Sequence, residues 1–161
     1  MATLDVRAAP TLAYRQFLAN AHRNGMPPEA TGIGFFRIGE GGFLEQAGGT
    51  RVPKDPDDGN GYSLLTNVEA GINLGVDPGN LGLRYFEKAL TIADLSIEGD
   101  TLSTVNVFCQ VLQAEGNDTR DPEFFEIGVF NPAGVLIAYG TFPQETKTNL
   151  LSVVKNVKLN F

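Results

Sequence analysis

The stretch that most constrains this chain is Phe124 to Phe142, FFEIGVFNPAGVLIAYGTF. Phe125, Ile127 and Val129, then Val135, Ile137 and Tyr139, are spaced by two, the period of a pleated strand. Between the arms, Asn131-Pro132-Ala133-Gly134 suits a type I turn, because Pro presets φ at the second position and Gly frees the exit. Both arms are apolar at odd and even positions alike. That predicts a β-hairpin at the centre of a sheet, covered on each side. Glu126 is the odd residue in an apolar arm. A carboxylate there must be paired or reach water at a strand end, so a structural role is expected ahead of a catalytic one.

The rest of the chain supplies one helix and several strands. Thr11 to Asn24 predicts a helix capped by Thr11, with Tyr14, Phe17, Leu18 and Ala21 on one stripe and Gly25 and Pro27-Pro28 ending it. The stripe is a docking face for the sheet or for a neighbouring subunit. His22, the only histidine, lies near the end of this helix and cannot anchor a two-histidine metal site. Thr31 to Gly42 reads as a short strand running into glycines. Their spacing fits neither GxGxxG nor GxxxxGK[ST], so they are read as turn and bulge positions.

Residues 44–82 are punctuated by glycine and proline and hold no lasting period, which predicts a long extended arm. Asp55, Asp57, Asp58 and Asn60 resemble a calcium loop only loosely. Position 5 counted from Asp55 is Gly59 and position 12 is Thr66, so a solvated acidic loop is expected. Tyr85 to Ile97 reads as one strand with a bulge near Asp94. Glu98-Gly99-Asp100 is read as a three-residue hairpin loop and Thr101 to Leu112 as the next strand, with Cys109 facing the core. Glu115 to Asp121 is a polar loop. Leu150 to Phe161 is a half-polar last strand, broken by Lys155 on its apolar face, which suits a sheet edge.

Composition narrows the function classes. With 161 residues the chain is one domain, 1–161, with a helical segment at 1–30 and the arm at 44–82. Twelve basic against 19 acidic residues give a formal net charge of −7, which argues against nucleic acid and anionic membrane as partners. No apolar run approaches the roughly 20 residues of a membrane span, and MATLDVRAAP has no apolar leader core. A single cysteine allows no intrachain disulfide. There is no GxSxG, no HExxH and no cysteine pair with metal spacing. No catalytic residue, cofactor or metal site is therefore expected. The fold class expected is mainly β: an antiparallel β-sandwich-like domain with one N-terminal helix and a long glycine/proline-rich arm.

The segments Glu126-Ile127-Gly128-Val129-Phe130 and Gly134 to Pro143, GVLIAYGTFP, resemble the EIG[LV]F…G.LIA.G motif of the tail-collar-fibre type module of tailed bacteriophages and related contractile particles. Gly34 to Gly42, GFFRIGEGG, and Arg84 to Lys88, RYFEK, are similar to stretches of the same group. The resemblance implies a virion structural protein, made in the host cytoplasm, with no catalytic residues. No fibre shaft follows before Phe161, which favours a tail or baseplate adaptor or an attachment point for fibres or rings. A capsid decoration or head-associated protein is the alternative within virions, and a carbohydrate-binding β-sandwich the alternative from another class. The absence of Trp lowers the last. Partners expected are other virion tail proteins and further copies of the chain, as a trimer ahead of a hexamer. Leu64, Leu65, Val68, Ile72 and Leu74 are the apolar residues of the arm expected to anchor it on a neighbouring subunit.

Overall fold

The computed structural model describes residues 3–7, 9–11, 32–56, 67–77, 82–98, 104–118 and 120–160. The helix predicted over Thr11 to Asn24 lies outside them, except for Thr11. That residue is extended. Its amide donates to the Ile137 carbonyl and its hydroxyl to that of Leu136.

Strands dominate the described chain. In order they are β1 (Thr3–Arg7), β2 (Ala9–Pro10), β3 (Phe35–Gly39), β4 (Phe43–Glu45), β5 (Arg51–Pro53), β6 (Ile72–Asn73), β7 (Arg84–Ala89), β8 (Leu95–Glu98), β9 (Thr104–Val111), β10 (Glu123–Phe130), β11 (Leu136–Thr146) and β12 (Val153–Asn160). Six form one sheet in the order β2-β11-β10-β3-β7-β6, and four form another in the order β1-β12-β9-β8. β4 and β5 make a separate ribbon. Pairing is antiparallel, except for β1 with β12 and β6 with β7.

The predicted hairpin is β10–β11, and it sits inside the six-stranded sheet. Phe125, Ile127, Val129, Ile137 and Tyr139 are all buried. At the turn, Gly134 donates its amide to the Asn131 carbonyl at 3.0 Å and takes a positive φ. The Asn131 side chain accepts the Val135 amide at 2.8 Å. One detail departs from strict alternation. Register shifts fall between Phe124 and Glu126 and between Val129 and Phe130. An extra residue reverses which face its successors occupy. Ile137 therefore joins the main core, while Tyr139 joins a second cluster with Val68, Phe130 and Leu136.

The main core draws on both large sheets. Phe36, Ile38, Ile127 and Val129 come from the six-stranded sheet; Val107, Cys109, Val153 and Val157 come from the four-stranded one. The second cluster is covered by a one-turn helix, Asn67–Ala70, through Val68. The hairpin is thus covered on both faces.

Two expectations need correction. Tyr85 to Ile97 is not one bulged strand. β7 belongs to the six-stranded sheet and β8 to the four-stranded one, with a 3-10 turn, Ile92–Asp94, between them. The Asp94 carboxylate ties that turn by accepting the Thr91 amide at 2.8 Å and hydroxyl at 2.9 Å. The face switch seen in the sequence is a change of sheet. Glu98 pairs with Thr104, and the rest of the predicted Glu98-Gly99-Asp100 loop lies outside the described residues. Finally, β12 is an inner strand, flanked by β9 and by β1. Lys155 is buried there because its ammonium pairs with Glu145 and lies 4.4 Å from the Phe142 ring centroid.

Candidate functional site

The motif hairpin assigns a packing task to each of its conspicuous residues. Glu126 is fully buried in mid-strand, and the Tyr139 hydroxyl donates to its carboxylate from the neighbouring arm. That is the structural pairing a carboxylate in an apolar arm requires. Gly42 closes over this pair at φ +79°. A Cβ there would lie 2.7 Å from the Glu126 Cβ and 2.8 Å from the Tyr139 hydroxyl. Gly128, on the same face of β10 as Glu126, makes room for the second cluster: a Cβ would meet Leu136 at 2.7 Å and Val68 at 3.0 Å. Phe130 stacks on Phe35 with centroids 5.0 Å apart. Arg37 lies over Tyr85 and Phe130, pairs with Glu87 at 2.7 Å and donates to the Val68 carbonyl at 2.9 Å. It thereby holds the one-turn helix against the sheet.

A second constellation went unread in the sequence. Glu40, just after β3, and Arg84, at the start of β7, are both buried. The Glu40 carboxylate accepts Arg84 Nε at 3.0 Å, Arg84 Nη2 at 3.1 Å and the Arg84 amide at 3.0 Å. It also accepts the Glu123 amide at 3.2 Å and the Arg120 guanidinium at 3.4 Å. Arg84 donates further to Asp118 and to the Arg120 carbonyl. Burial alone would lower the Arg84 pKa, but the bonds and charges of Glu40 and Asp118 outweigh it and raise the guanidinium further. The partners lie 44 and 34 residues from Arg84, so no local spacing announces them.

Lys147 is buried nearby, with its ammonium 2.7 Å from Asn117 Oδ1, 2.8 Å from the Thr148 carbonyl and 3.1 Å from that of Gln113. Burial lowers its pKa, and the charges of Asp121 and Glu115 offset this only in part. Lys88 reaches Glu115 at 2.7 Å and the Gln110 carbonyl at 3.2 Å. These groups fix a loop in place and offer no open arrangement of nucleophile and base.

Among the residues singled out for subunit contact, Val68 is 0% and Leu74 5% exposed within their own chain. Their apolar surface already serves the intramolecular clusters, and Ile72 is half-buried in β6. Leu64 and Leu65 lie outside the described residues, as do His22, Asp57, Asp58 and Asn60. Among the described residues, the segment 44–82 contributes most of β4, then β5, the one-turn helix and β6. Cys109 faces the core as expected, and burial pushes its thiol well above the ordinary range. Among the described residues no group of three or more His, Cys, Asp or Glu side chains is placed to hold a metal ion. No described helix is long and apolar enough to cross a membrane.

A scan against protein-family models gave no match, and neither did searches of curated proteins and of solved structures. The likeness of the hairpin to the tail-collar-fibre type module rests on the quoted residues alone.

Proposed function

We propose that the chain is a non-enzymatic structural protein of a phage or phage-like particle. In this reading it is a tail or baseplate component that acts as adaptor or attachment point for fibres or rings. What supports the reading is the motif hairpin, EIGVF followed by GVLIAYGTFP. Its residues occupy the middle of the main sheet, and Glu126, Gly128, Phe130 and Gly134 each meet a specific packing or turn requirement. A module recognised by those residues is recognised by its framework. The core shared by the two large sheets supports a sandwich-like arrangement. The acidic balance supports protein rather than nucleic-acid or anionic-membrane partners. Assembly as a closed ring, with three copies ahead of six, follows from the attachment role. With Val68 and Leu74 buried in the chain, the subunit contact would use other surface.

The test has two parts. Particles are banded from the producing cells on a density gradient, and the tail fraction is analysed by mass spectrometry. Purified chain is examined by size-exclusion chromatography with light scattering. Recovery in the tail fraction at a stoichiometry that is a multiple of three supports the reading. Recovery only in the soluble fraction, with the purified chain acting on a small-molecule substrate, overturns it.

A further inference from the structure

Residues 112–122 carry the chain from β9, in the four-stranded sheet, to β10, in the six-stranded one. Neutral hydrogen bonds tie this crossover to the segment after β11: the Lys147 amide donates to the Pro122 carbonyl at 2.8 Å and the Gln113 side-chain amide to the Leu150 carbonyl at 3.0 Å, while charged groups add the rest. β7 supplies Arg84 to Asp118 and Lys88 to Glu115. The end of β3 supplies Glu40 to Arg120. The segment after β11 supplies Lys147 to Asn117 Oδ1 and the Gln113 carbonyl. Gly116, at φ +63°, sits over Val111 and Phe86.

We propose that this crossover is an acid-opened joint: protonation of Glu115 releases residues 112–117 from Lys88 of β7 while both sheets stay folded. The charges around it balance at neutral pH. Arg84, Lys88, Arg120 and Lys147 face Glu40, Glu115, Asp118 and Asp121. Glu123 of β10 gives its amide to Glu40 but directs its own carboxylate to Arg51 at 3.5 Å. When Glu115 is neutralised, Lys88 and Lys147 lose the negative charge that offsets them in a half-buried space.

The direction with pH follows from Glu115. Burial alone would raise its pKa, but the Lys88 hydrogen bond, the Leu112 amide and the charges of Lys88 and Lys147 hold it below the ordinary value. A depressed carboxyl contributes stability above its unfolded pKa and loses it as pH falls through the folded one. The joint is therefore closed at neutral pH and opens as pH falls through the folded value of Glu115, which lies below that of an ordinary carboxylate. Opening uncovers Phe86 and Val111 where Gly116 covered them.

The experiment is hydrogen–deuterium exchange of the full chain at about pH 7 and about pH 3, with protection corrected for the intrinsic pH dependence of exchange. Peptides within 112–117 are expected to lose about tenfold or more of their protection at the lower pH, while 124–130 and 136–142 keep theirs. Loss in all three together would show ordinary acid unfolding and overturn the proposal, as would retention in the loop. Glu115→Gln is expected to open the loop at higher pH without altering hairpin protection. Glu87→Gln, in the separate Arg37 pair, is expected to leave the loop's pH response unchanged. An equal response in these two variants would also overturn it.

Discussion

At Gly42 two demands coincide: a positive φ and a close approach to the buried Glu126–Tyr139 pair. Either demand alone disfavours a side chain. Gly42→Ala is expected to destabilise the fold by about 2–4 kcal/mol, read as a lower denaturant midpoint with unchanged slope. A shift no larger than that of Gly48→Ala would count against it, since Gly48 shares the positive φ but has open space around its Cβ position. The sequence showed that the glycines after β3 belong to a turn. It did not show what they turn around, because Gly42 and Glu126 are 84 positions apart and meet only in the folded chain. A separation of 44 residues likewise concealed the Glu40–Arg84 bond. Each of those residues reads locally as an ordinary solvated charge, and only the partner brought by the sheet makes burial tolerable.

The hairpin was the most legible element. Its burial, its turn and its central place all follow from apolar arms on either side of Asn-Pro-Ala-Gly. What periodicity does not carry is membership of a sheet. β7 and β8 show the same period as one strand would, so the step between sheets at Thr91–Asp94 was legible only as a face switch. The half-polar pattern of β12 misled for a related reason. Its neighbour β1 comes from the other end of the chain, and alternation says nothing about how many neighbours a strand has. The segment 44–82 looked featureless because its elements are two to four residues long, too short to register a period. One of them can be tested directly. Val68 fills the pocket left by Gly128, so Val68→Ala should cost about 2 kcal/mol in chemical denaturation. Ile92→Ala, at a side chain 87% exposed, should change stability by less than about 0.5 kcal/mol. Equal effects of the two would show that the one-turn helix is loosely held, and would return the segment to the role of a free arm.

For the whole molecule, the decisive connection is the parallel pairing of Thr3–Arg7 with Val154–Lys158. It places one end of the chain along the other and makes β12 an inner strand. Deleting residues 1–8 would leave one side of β12 without its ladder. The shortened chain should melt at lower temperature and be cut by protease within 150–160, at sites protected in the full chain. Unchanged melting and an unchanged digest would show that β9 alone suffices to hold β12. The pairing also bears on how the protein is made. The first strand emerges from the ribosome roughly 150 residues before its partner. At 5–20 residues per second that is an interval of roughly 8–30 s. Through that interval β1 has no native ladder, and the four-stranded sheet can close only once β12 has been made.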